Sequence, residues 1–125
     1  MKLSKEKYDE IVRRYQEDPK FKRKLQGYFY RYRQVPSPNL KVDVENFGHV
    51  EMWDQDLKRK KRTFIFDLGD GKSGDVWFNA GVFKVRVNGS LKVEKDDFVK
   101  VKELVYFGFF GLQVVMHENN VIGRK

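Results

Sequence analysis

Residues Phe98–Met116 read FVKVKELVYFGFFGLQVVM, and the reading of this run decides the fold. Val99, Val101 and Val105 alternate as in a strand, and β-branched side chains suit a pleated surface. Asp96 or Asp97 in front of them offers the other reading, an N-cap for a short helix holding Phe98, Val101 and Val105. The β-branched content favours the strand. From Val105 to Met116 the chain is at its most apolar, and Gly108 and Gly111 then mark a bulge or bend in a central strand. The stretch from His117 to Lys125 is expected to be short edge structure or tail.

The residues preceding this run support a sheet. Leu40, Val42 and Val44 alternate with Lys41, Asp43 and Glu45, and Val50 and Met52 alternate with His49, Glu51 and Trp53. Such alternation marks half-buried strands. Asn46-Phe47-Gly48 forms a turn between them. Further strands are predicted at Thr63–Leu68, Asp75–Phe78 and Val82–Val87. At Asn88-Gly89-Ser90 a two-residue turn would set Val85 against Lys92. A three-residue loop would pair Val87 with Leu91 and Val85 with Val93. A one-residue slip moves every side chain to the other face, so the longer loop is expected.

Ahead of the stiff connector Pro36-Ser37-Pro38 the periodicity is helical. Ser4 caps a helix over 4–17, with Tyr8, Ile11, Val12 and Tyr15 on one side. Asp18 caps a second, and Pro19 fits its first position. Phe21, Leu25, Tyr28, Phe29 and Tyr32 form that helix's core stripe. The expected fold class is α+β. Two N-terminal helices precede a bent antiparallel sheet of six to eight strands, open or curled into a half-open barrel. At 125 residues this is one domain, a basic helical part over 1–35 followed by a β part over 38–125.

Charge points to function. Residues 19–35, PKFKRKLQGYFYRYRQV, hold six Lys or Arg, five aromatics and no Asp or Glu. Residues 1–35 carry eleven basic and five acidic side chains, most of the chain's net +8. Such asymmetry suits a polyanion or an acidic protein surface. The candidate contact residues are Lys20, Arg23, Lys24, Gly27, Tyr30 and Arg31 on the second helix, joined by the loop run Lys58, Arg59, Lys60, Lys61 and Arg62. Gly27 costs about 1 kcal/mol in a helix interior relative to Ala. A bare spot among positive side chains would admit a close partner; relief of a helix crossing is the plainer explanation. Beside the loop run, Phe64, Phe66 or Trp77 would supply a stacking platform.

Other chemistries fit poorly. The absence of Cys removes disulfides, thiolate metal sites and cysteine nucleophiles. Gly69-Asp70-Gly71-Lys72-Ser73 lacks the earlier glycine of a phosphate loop, since Phe66 stands there, and a strand follows it. Asp67, Asp70 and Asp75 do not match a calcium loop. Tyr106–Gly111 lacks the basic-glycine opening of an RNA-recognition strand. No metal and no small-molecule cofactor are expected. His49 with Glu51, and His117 with Glu118, are the groups that could supply an acid–base pair, and His49 and His117 together would serve a metal-free ribonuclease. No apolar run suits a signal peptide or a membrane span, so an intracellular, cytoplasmic protein is expected. The composition thus predicts a small nucleic-acid-binding protein that grips phosphates with a basic aromatic helix and a basic hairpin loop. The alternative is a stand-alone inhibitor, of the viral or anti-CRISPR kind, that docks on a nucleic-acid-handling protein.

Overall fold

The computed structural model describes the backbone of residues 1–32, 40–56, 61–79 and 82–123, and the side chains of 1–28, 40–53, 63–78 and 82–118. In chain order the elements are β1 (Lys2–Leu3), α1 (Lys5–Glu17), α2 (Pro19–Tyr32), β2 (Leu40–Val44), β3 (Gly48–Asp56), β4 (Lys61–Asp67), β5 (Ser73–Asn79), β6 (Val82–Val87), α3 (Lys95–Glu103), a π-helical stretch (Leu104–Phe110) and α4 (Gly111–Gly123). The two N-terminal helices start where their caps predict. Ser4 Oγ accepts from the Lys7 N–H at 3.1 Å. Asp18 Oδ1 accepts from the N–H groups of Lys20 at 3.0 Å and Phe21 at 3.2 Å, so this one residue ends α1 and starts α2.

The six strands lie in the sheet in chain order. β1 runs parallel to β2, and every other neighbouring pair is antiparallel. The sheet stays open and does not close into a barrel. Period-two alternation sends Val42, Val44, Val50, Met52, Phe64, Phe66, Val76 and Val85 to one face, where all are buried. Tyr8, Ile11, Phe21 and Leu25 from α1 and α2 complete the core from above, with Val101, Phe109, Phe110 and Val114 from the C-terminal helices. Phe64 meets Phe109 and Phe110 edge-on at 5.6 and 5.5 Å, an arrangement favoured by the ring quadrupoles.

The main departure from the sequence reading is Phe98–Met116, which is helical throughout. α3, the π-helical stretch and α4 follow one another without a break over 95–123. Two features explain why alternation misled. Asp96 and Asp97 sit in the first turn, where their charge favours the helix N-terminus. Beyond them, the apolar pairs Leu104-Val105, Phe109-Phe110 and Val114-Val115 recur every five residues, and all six side chains are buried. The wider i→i+5 turn over Leu104–Phe110 keeps the first two pairs on one side, and Val114-Val115 follow in α4. Gly108 and Gly111 are therefore not strand bulges. They are close-approach points: a Cβ at Gly108 would lie 2.9 Å from Val44 Cγ2, and one at Gly111 would lie 2.4 Å from Ile11 Cγ2. The helix also removes the need for a curled sheet, because it covers the strands that α1 and α2 do not reach.

The turn at Asn88 is a second correction. Asn88 and Gly89 both have positive φ, 49° and 81°, which two-residue hairpin turns require. Val87 bridges to Ser90, not to Leu91. No strand follows, so the clash between Val85 and Lys92 never arises. Ser90 Oγ accepts from the Lys92 N–H at 3.1 Å and turns the chain aside. Val93, which the longer loop would have paired with Val85, is only partly buried as a result.

Candidate nucleic-acid interface

α1 and α2 carry the basic surface that charge counting locates. Phe21 and Leu25 hold one face of α2 in the core, leaving Lys20, Lys22, Arg23 and Lys24 exposed. These cations differ in how far they are compensated. Lys24 Nζ meets Glu118 Oε1 at 2.8 Å, and Arg14 reaches the other carboxylate oxygen at 3.6 Å. The Arg14 guanidinium also lies 4.1 Å from the centre of the Phe21 ring. Lys22 lies 5.5 Å from the Tyr15 ring. Among the described residues, Arg13, Lys20, Lys22 and Arg23 have no carboxylate partner, and of these Lys22 alone sits over an aromatic ring. They form the unneutralised part of this surface, and Lys24 contributes to it only through a competing ion pair.

Gly27 sits within the continuous helix α2, and a Cβ there would meet nothing within 4 Å. It relieves no helix crossing among the described residues and marks no break. The side chains of Tyr30 and Arg31 lie outside the described residues, although both positions are helical. Lys58, Arg59 and Lys60 lie outside them altogether. Lys61 and Arg62 open β4, paired in register with Asp56 and Asp54, and their side chains also lie outside the described residues.

The expected stacking platform is corrected. Phe64 and Phe66 face the helices and are buried, because the strand's alternation turns both inward. Trp77 lies on the opposite, outer face, and Trp53 joins it there. Trp53 pairs with Thr63, and Trp77 pairs with Lys84. Val76 is the partner of Phe64, so Trp77 stands level with Thr63, and Trp53, Thr63, Trp77 and Lys84 form one row across four strands. The alternation His49, Glu51, Trp53 against Val50, Met52 already marked Trp53 as outward.

His49 belongs to this outer face. One ring nitrogen bonds Asp43, and the other meets Glu51 Oε1 at 2.8 Å. Glu51 Oε2 accepts from Trp53 Nε1 at 2.8 Å. Burial alone would lower the His49 pKa, but hydrogen bonds to Glu51 and Asp43 outweigh it and hold it above its ordinary value. The hydrogen bond from His49 in turn holds the Glu51 carboxyl below its ordinary value. His117 lies elsewhere, on α4 in the helical layer, its ring 6.1 Å from that of Tyr28. The sheet separates the two histidines, and nothing aligns them as an acid–base pair. Among the described residues no group of three or more His, Asp or Glu side chains is arranged to hold a metal ion. No described helix is long and apolar enough to cross a membrane.

Sequence reasoning named Glu118 only as a neighbour of His117 and did not foresee it as the counter-charge of Lys24 and Arg14. It stood in a stretch read as tail, and only the packing of α4 against α2 brings it to Lys24 and Arg14. Compared with protein-family models, with curated proteins and with solved structures, the chain shows no match.

Proposed function

We propose that the protein binds nucleic acid through the phosphate backbone, using the outward face of the α1–α2 pair, with the run Lys58–Arg62 as a second grip. The observation that carries this reading is the set Arg13, Lys20 and Arg23. Arg13, Lys20 and Arg23 are exposed, and among the described residues no carboxylate neutralises them. α2 itself contains no acidic residue. Cations that neutralise phosphates release counterions, so affinity should depend steeply on salt. Gly27 supports the same reading, since its open surface lets a backbone come close.

The test is affinity against salt for single- and double-stranded DNA and RNA, comparing the parent with Lys20→Ala/Arg23→Ala. On B-DNA each lost phosphate contact should flatten the log–log slope by about 0.9, so the pair should flatten it by roughly two. Negligible binding near physiological salt, or a slope that the pair leaves unchanged, defeats the proposal.

A second reading, the docking inhibitor, is supported by the sheet's outer face. Among the described residues no element packs over it, and Ile65 is 39% exposed there beside the half-buried Trp53 and Trp77. Its charges are largely internally paired: Arg86 holds Asp75 through two hydrogen bonds of 2.9 and 2.8 Å, and Glu51 is held by His49, Trp53 and Lys41. Aromatic, charge-balanced surface suits a protein partner better than a polyanion. If this reading is right, removing one of the tryptophans should weaken partner binding at any salt concentration.

A further inference from the structure

β6 is an edge strand of the sheet. The N–H and C=O of Val87 both turn to Ser90, at 3.0 and 2.9 Å. The Asn88 N–H turns the other way, to the Ser73 carbonyl at 2.7 Å. In an antiparallel pair the backbone groups of alternate residues point to the same side. Arg86 and Lys84 therefore direct theirs to β5, while Val85 and Phe83 direct theirs away from it. A continuing strand would take these groups up. Here the chain turns aside after a single bridge, and among the described residues nothing else bonds them.

This edge does not face bare solvent. It opens into a groove of about 600 Å³, walled by Trp77, Lys84, Leu91, Val93, Lys95 and Phe98, with Phe83 and Val85 as its floor. Leu91 is 69% exposed and Val82 53% exposed, the two most exposed large apolar side chains in the described chain. The groove's charged walls are both lysines. Backbone donors and acceptors in a row, apolar walls on either side and a positive rim are what an extended peptide requires.

From this geometry we infer that β6 and its groove receive an extended segment of another protein, added as a further antiparallel or parallel strand, in which apolar side chains alternate with acidic ones. Side chains on one side of the added strand pack against Phe98 and Val93. Those on the other side lie over Trp77 and beside Lys84, where a carboxylate is favoured. A second copy of this chain is a poorer occupant. Antiparallel pairing of β6 with itself would bring the Lys84 and Arg86 of both copies together, and like charges on facing strands are unfavourable. The inference is independent of phosphate binding by α2, because the groove and that helix share no residue.

The test uses the full chain and three acetylated peptides of about eight residues, in which valine alternates with glutamate, lysine or serine. Binding is followed by amide chemical shifts in a titration. The glutamate peptide should shift the Phe83 and Val85 amides and slow their hydrogen exchange. The serine peptide should bind more weakly, and the lysine peptide not at all. Leu91→Asp lies on an exposed position and should leave the fold intact while weakening the glutamate peptide by about tenfold or more. N-methylation of alternate peptide amides should abolish binding, since it removes the ladder donors. Three results overturn the inference: no shift at Phe83 and Val85 with any peptide, equal binding of the lysine and glutamate peptides, or sedimentation showing a dimer that Leu91→Asp dissolves. The last would assign the edge to a second copy.

Discussion

Two glycines in helices, Gly27 and Gly111, should respond to alanine with opposite signs. Alanine in place of a helical glycine gains about 1 kcal/mol from backbone entropy alone. At Gly27 the new methyl enters open space, so Gly27→Ala should stabilise by up to about 1 kcal/mol. At Gly111 the Cβ would stand 2.4 Å from Ile11 Cγ2. Ordinary carbon contacts lie at about 3.5–4.0 Å, so more than an ångström has to be found. Ile11 is fully buried, and its β-branched side chain is stiff about χ1. Overpacking of this kind costs about 1–3 kcal/mol, and the upper part of that range applies where the neighbour cannot give. After the entropic gain, Gly111→Ala should destabilise by about 1–2 kcal/mol. The assay is urea unfolding followed by circular dichroism, with the midpoint shifting and the slope unchanged. Ile11→Ala should itself cost about 2–5 kcal/mol. Combined with Gly111→Ala it should cost less than the sum, by about the energy of the clash. A Gly111→Ala protein as stable as the parent, or strict additivity with Ile11→Ala, would refute the placement of that helix against α1.

The His49 cluster predicts a pH dependence. Its folded pKa is raised above the ordinary 6.5, so its contribution is full below that value and is lost as pH rises through the folded pKa. Unfolding measured across this window should show the parent losing stability that His49→Ala never had, while nucleic-acid binding is unaffected by His49→Ala or His117→Ala. A thousandfold loss of biological activity from either histidine variant, with the fold kept, would bring the enzymatic reading forward. Tyr8 offers a further check: its hydroxyl is buried with no partner among the described residues, and burial pushes its pKa up. Its ring packs against Phe47 at 5.0 Å, a contact that Tyr8→Phe keeps. Thermal melts should therefore place Tyr8→Phe level with the parent or about 1 kcal/mol above it, and a loss of that size would mean the hydroxyl is satisfied.

The sequence by itself determined the N-terminal helices and most of the sheet. Their signals are local: Ser4 and Asp18 bond to the backbone two or three residues on, and the alternation in β2 and β3 states which side chains point inward. It also located the basic face of α2, because Phe21 and Leu25 fix that helix's inner side and the lysines and arginines follow by spacing. Tertiary structure decided the rest. Valine's preference for strands is a packing preference, and in Phe98–Met116 the packing partner was a sheet already formed from other residues. The five-residue repeat of Leu104, Phe109 and Val114 becomes legible only once a face to be covered exists. Only the assembled fold could show that Lys24 is tied to Glu118, that Phe64 and Phe66 belong to the core, and that His49 and His117 lie apart, because each depends on residues far apart in sequence. The open edge at β6 has the same origin: Asn88 and Gly89 encode the turn, but that the chain leaves the sheet after Ser90 is visible only in the assembled fold.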